Sequence, residues 1–169
     1  AFDGREQWGI RVDGVQDVQV RNCRVTGFLR GVRIKDSQNV RIQSVRSYGN
    51  GNFSTRVGYG MSIDTSNAVQ VIGGSFTGNA DEQIHIGRSD NVQAENIKMS
   101  LPFFNVGGVL VRSDREQFYA LDSGNVECLT CQFGPGKQAH RKNTTPLGVV
   151  RSVVSYKSTA RFTVKWTLE

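Results

Sequence analysis

The sequence predicts an all-β fold: a right-handed parallel β-helix of about five to six rungs, ending in C-terminal β-strands. Three observations predict it. A short pattern recurs at spacings of 22, 29, 23 and 25 residues, through Gly9-Ile10-Arg11-Val12, Gly31-Val32-Arg33-Ile34, Gly60-Met61-Ser62-Ile63, Gln83-Ile84-His85-Ile86 and Gly108-Val109-Leu110-Val111. Six residues past the last apolar residue of that pattern a second strand follows in four of five cases: Val12 to Val18, Ile34 to Val40, Ile63 to Val69, Ile86 to Val92. A third position recurs eleven residues after the first, at Cys23, Val45, Gly74 and Ile97. A repeat of this length decides the architecture before any single element does.

The strands are short and alternate apolar with polar, as in Ile10-Arg11-Val12 and Val40-Arg41-Ile42, the period-2 signature of a face turned inward. One such rung cannot close a core by itself. Stacked in register about 4.8 Å apart, rungs pair their backbones and pile like side chains into one interior. The Leu and Asn ladder of a leucine-rich repeat is missing, and so is the strict six-residue period of a left-handed coil.

Taken in order, residues 1–8 lead in, with Trp8 just ahead of the first strand, and the first rung covers about 9–30. The second, 31–59, carries an insertion at 49–58, rich in the Gly and Asn that tight turns tolerate. Two regular rungs follow, then Leu101-Pro102-Phe103-Phe104, read as a hydrophobic turn. Phe118-Tyr119-Ala120-Leu121 and Val126-Glu127-Cys128-Leu129 read as strands of one more rung, and 138–146 as an exposed basic loop. Residues 149–154 and 160–168 read as two strands. In the second, Phe162, Val164, Trp166 and Leu168 share a side and seek cover on the last rung or on a partner subunit. The division is therefore rungs over 1–134 and a C-terminal loop and strands over 135–169.

A β-helix end leaves a row of unpaired strand groups. Only nine residues precede Ile10 and none forms an amphipathic capping helix, so the expectation is a piece of a longer protein or an end covered by another chain. No stretch approaches the roughly 20 apolar residues of a membrane span and no signal peptide is visible, so no membrane partner is expected. The net charge of +6 is uneven. Residues 1–56 hold ten Lys/Arg against five Asp/Glu, 57–134 hold four against nine, and 135–169 hold seven against one. A basic end attracts anionic polymers, while alternating basic and acidic rungs equally suit a solvated surface. Nucleic acid ranks last as a partner, because no binding motif or aromatic platform in a basic groove accompanies the charge. Cys23 falls in an inward column; Cys128 and Cys131 have CxxC spacing, but with two histidines in the chain a four-ligand zinc site lacks partners. No metal or cofactor is expected.

If the register holds, outward residues stack. Arg11, Arg33, Ser62, His85 and Leu110 form one ladder; Asp13, Lys35, Asp64, Gly87 and Arg112 lie one step on; Trp8, Arg30, Tyr59, Glu82 and Gly107 one step before. The repeat over 9–112, for example Gly31-Val32-Arg33-Ile34-Lys35-Asp36-Ser37-Gln38-Asn39-Val40, resembles the right-handed β-helix carbohydrate-active proteins: pectate and alginate lyases, polygalacturonases, alginate epimerases and phage tailspike depolymerases. That resemblance implies a polysaccharide partner on the outward strand face, an extracellular or virion-surface location, and a homotrimer if the chain is tailspike-like. By that resemblance Tyr59, Asp64, Glu82, His85 and Arg33 are the best candidates. With the ladders and the chemistry added, the catalytic candidates are Tyr59, Asp64, Asp81, Glu82 and His85, and the substrate-binding ones Trp8, Arg11, Arg33, Lys35 and Arg88. The polygalacturonase motifs Asn-Thr-Asp, Asp-Asp and Gly-His-Gly, and the epimerase Asp-Pro-His, are absent.

Two chemistries remain open. A lyase or epimerase needs a cation for the uronate carboxylate, here Arg33 or Arg88, a base for the C5 proton, His85, and a donor for the leaving oxygen, Tyr59. A hydrolase needs two carboxylates from Asp64, Asp81 and Glu82, about 5 to 9.5 Å apart. The competing class is a non-catalytic structural shaft. In that case His85 is an idle ladder residue, Asp64 and Asp81 serve turns, and Trp8 and Tyr59 cover the insertion.

Overall fold

The computed structural model describes residues 7–52, 55, 57–106, 109–112, 117–134, 139–142 and 162–166. Its front sheet stacks six strands in the order β1 (Trp8–Asp13), β4 (Arg30–Lys35), β6 (Met61–Asp64), β8 (Ile84–Gly87), β12 (Phe118–Leu121) and β14 (Ala139–Lys142). Every neighbouring pair is parallel. The back sheet runs through β2 (Gln16–Arg21), β5 (Gln38–Tyr48), β7 (Asn67–Thr77), β9 (Asp90–Ser100), β13 (Val126–Phe133) and β15 (Phe162–Trp166), with β3 (Arg24–Thr26) also on β5. The coil is the expected parallel β-helix.

Register follows the apolar period. Val12, Ile34, Ile63 and Ile86 pair in succession, and Val18, Val40, Val69, Val92 and Val126 do the same on the back sheet. Ile34, Ile42, Ile63 and Ile86 are fully buried. The second and third strands of a period are fused in β5, β7 and β9, each 11 residues long. The fused strands bend at Ser44, Gly73 and Asn96, whose φ values of 54°, 62° and 54° are left-handed. Asn22 (φ 57°) and Thr130 (φ 50°) turn the same bend in the first and fifth rungs.

A second left-handed column, Asp36, Thr65, Arg88 and Asp122, turns the corner out of the front sheet. Directly after it comes a buried column of Ser37, Ser66, Ser89 and Ser123. Each hydroxyl of the last three accepts the backbone N–H of the serine one rung earlier, at 3.1–3.2 Å. Each also donates to the carbonyl two residues back in its own rung: Ser37 to Lys35 at 2.7 Å, Ser66 to Asp64 at 2.7 Å, Ser89 to Gly87 at 2.9 Å and Ser123 to Leu121 at 2.8 Å. The corner thus carries its polar groups inward with their bonds made.

Four sequence expectations change. The fifth member of the front column is not Val109-Leu110-Val111 but Phe118 and Ala120, which pair with Ile84 and Ile86. Val109–Arg112 (β11) instead pairs antiparallel with Phe103–Val106 (β10), a hairpin inserted between the fourth and fifth rungs. The outward ladders therefore pass from His85 and Gly87 to Tyr119 and Leu121, not to Leu110 and Arg112. The 101–104 turn is shorter than expected: Leu101 and Pro102 are buried and Phe103 already opens β10. Within the 138–146 loop, Ala139–Lys142 forms the sixth front strand, because parallel pairing on β12 satisfies its backbone. Phe162–Trp166 pairs antiparallel with β13, on the edge of the last back rung, while 149–154 lies outside the described residues. Cys23 is only half-buried at the thin first rung, and Cys128 and Cys131 form a buried disulfide within β13.

Candidate functional site

The outward face of β4, β6, β8 and β12 gathers most of the candidate residues. Arg33 pairs with Ser62, Ser62 with His85, and His85 with Tyr119, so these side chains climb one above another. Tyr59 enters from just ahead of β6. Its ring stacks on His85 with centroids 4.8 Å apart, and His85 meets Tyr119 on its other side at 5.3 Å. Three rings from three rungs make one continuous run.

The acidic partners come from a turn held by buried amides. The Gln83 side chain donates to the carbonyls of Asn79 and Asp81 at 3.1 and 3.0 Å and accepts from Asn79 Nδ2 at 2.8 Å. That clamp fixes Asp81 and Glu82 beside Tyr59, 8% and 7% exposed respectively. Asp64, at the end of β6, accepts from the Ser62 hydroxyl at 2.9 Å. Gly87, without a side chain, lets the Asp64 carboxylate lie close against it. A Cβ there would sit 2.5 Å from Asp64 Oδ1 and 3.6 Å from His85 Nε2. The Asp64 carboxylate thus occupies the space a side chain would take, next to the imidazole.

Electrostatics set the protonation states apart. Burial, then the Glu82 and Asp81 carboxylates, push the Tyr59 phenol up to about 12, with the Arg30 guanidinium opposing. Burial holds His85 below the usual histidine range, against the pull of the Asp64 and Asp81 carboxylates. His85 Nδ1 is buried with no hydrogen-bond partner among the described residues. At neutral pH the site therefore pairs a protonated phenol with a neutral imidazole.

The basic end lies on the first two rungs. The Arg30 guanidinium sits 5.2 Å from the Trp8 ring centroid and 5.8 Å from that of Tyr59, and Arg33 sits 5.5 Å from Trp8. Arg11 and Arg33 share Asp13, at 2.5 and 3.4 Å, and Lys35 lies 3.6 Å from Asp36. Trp8, Arg11, Arg33 and Lys35 thus belong to the strip with Tyr59, Asp64, Asp81, Glu82 and His85. Arg88 does not. It is exposed in the left-handed corner column, turned away from the strip by its own backbone.

Residues 2–133 match the family of right-handed β-helix regions. The chain belongs to that family. No curated protein and no solved structure gives a match. Family membership accounts for the coil of this β-helix and leaves its chemistry to the strip. Among the described residues no group of His, Cys, Asp and Glu is arranged to hold a metal ion.

Sequence reasoning passed over Tyr119, the close approach of Asp64 to Gly87 and the Arg30 contacts. The signal for Tyr119 was present. Six and eleven residues past Ala120 stand Val126 and Cys131, the apolar phase of a true rung, whereas the same steps past Val111 reach Gln117 and Asp122. The one case of five that lacked its second strand marked the false rung.

Proposed function

We propose that this β-helix binds a polysaccharide along the front strip and acts on it by proton transfer, as a lyase or epimerase does on a uronic acid. The observation that carries the reading is the Tyr59–His85–Tyr119 ring run, in which His85 is held neutral and Tyr59 protonated. Two groups pushed apart in pKa suit opposite halves of one proton exchange. Arg30 and Arg33 supply guanidinium charge for a uronate carboxylate, which raises the acidity of its C5 proton. His85 Nε2 takes that proton, the electron pair forms the C4–C5 double bond, and the C4–O bond breaks. The leaving oxygen then receives the Tyr59 proton. Transfer of the C5 proton without C4–O cleavage is the epimerase variant. An extracellular or virion-surface setting and a trimeric assembly go with this reading.

The second reading is a non-catalytic shaft, favoured by the closed serine ladder that climbs the coil. A glycan array with reducing-end and ultraviolet assays separates the two. Under the lyase reading, products carry an unsaturated uronyl chromophore, and His85→Ala and Asp64→Asn suppress it. New reducing ends without the chromophore point to hydrolysis by Asp64, Asp81 and Glu82. Binding without turnover reduces the chain to an adhesin, and no binding at all leaves the shaft.

A further inference from the structure

The back sheet carries a second feature, unrelated to the front strip. The bend at Asn22, Ser44 and Gly73 makes a concave seam between the two halves of the fused strands. On its first three rungs the seam opens into a cleft of about 420 Å³, lined by Asn22, Cys23, Arg24, Ser44, Arg46 and Gly74. Arg24 and Arg46 are register partners on β3 and β5, so two like charges stand directly opposite on adjacent strands, about 4.8 Å apart at the backbone. Such a pair destabilises a sheet unless something neutralises it. Among the described residues neither arginine has a carboxylate partner. The Arg24 guanidinium lies 4.9 Å from the Tyr48 ring centroid, which orients it without neutralising it. The row continues through Ser75 to Lys98, adding a third cation and no acid. Glu95, across the bend, bonds Asn96 at 3.3 Å.

From this pairing we infer that the cleft between Arg24 and Arg46 binds a tetrahedral oxyanion, the phosphate or sulfate group of a ligand. Two guanidinium forks one strand apart can each grip oxygens of one such group, which removes their mutual repulsion. Asn22 and Ser44 add neutral donors on the opposite wall. Cys23 also lines the cleft; its half-exposed thiol, packed at the edge of the core, is not a ligand but a nearby reporter. It is the chain's one free thiol, since Cys128 and Cys131 are bonded to each other.

The test follows the alkylation rate of Cys23 by N-ethylmaleimide in sodium phosphate against sodium chloride of equal ionic strength. A parallel arm compares sulfated with plain dextran. The expected result is a severalfold, saturable slowing by phosphate that Arg46→Gln abolishes and Arg41→Gln, on another outward row, leaves intact. Slowing by sulfated dextran alone, again lost in Arg46→Gln, supports the same site with a polymer sulfate ester as its source. No slowing by either anion, or equal slowing in Arg46→Gln, overturns the inference. A melting scan in chloride guards against a folding artefact, since Arg46→Gln removes a like-charge contact and should be no less stable than the parent.

Discussion

The serine ladder at the corner and the strip on the front sheet are both stacks of polar side chains, one residue per rung. They differ in how their bonds close. In the ladder each hydroxyl gives and receives within one turn of coil, so burial costs it little. In the strip, His85 is half-buried with an Nδ1 that has no partner among the described residues, and Tyr59 and His85 are driven from their ordinary pKa values. Polar groups that finish their bonds inside the protein hold it together. Those left unfinished on an outward face are available to a ligand.

That contrast can be broken in order of expected effect. Ile63→Asp puts a carboxylate into a column with no exposed neighbour and should cost several kcal/mol, read by urea denaturation; an equally stable variant would refute the register. His85→Phe keeps the ring run and deletes the nitrogens. Turnover should fall by about 10²- to 10⁴-fold with stability unchanged or raised, whereas a loss of stability would move His85 into the structural class.

Gly87→Ala puts a methyl group 2.5 Å from Asp64 Oδ1 and forces that carboxylate aside. A roughly ten- to hundredfold drop in turnover is expected, with little change in melting temperature because a side-chain end can shift. Ser66→Ala is its mirror image. It strands the Ser37 N–H and should cost about 1–3 kcal/mol, while glycan binding persists.

The smallest effect is in pH. His85 sits below its ordinary value of 6.5, so the unfolded chain takes up a proton there before the folded one does. Stability should therefore decline as pH falls below 6.5 and level off once the folded His85 also protonates. In His85→Phe that part of the slope should vanish; a slope identical to the parent's would assign it to other groups.

Much of this was legible without coordinates. The 6- and 11-residue offsets placed Val12, Ile34, Ile63 and Ile86 in one column, because period-2 alternation and a constant rung length leave one register that buries every apolar residue. The ladder rule also put Ser62, His85 and Tyr59 on neighbouring rungs. It failed at Val111, where a hairpin imitates the pattern, since a local apolar alternation does not reveal which strand it will pair with.

The amino-acid order by itself determined the coil, its rung length and which residues face out, for these depend on local alternation repeated at a fixed phase. Only the tertiary structure decided that Tyr119 closes the ring run and that Arg88 turns away at a corner. It also decided that Asp64 lies against Gly87 beside His85, and that Arg24 stands opposite Arg46. Each of these depends on which rung lies against which and on how each bend aims its neighbours, and that is set by packing across the stack.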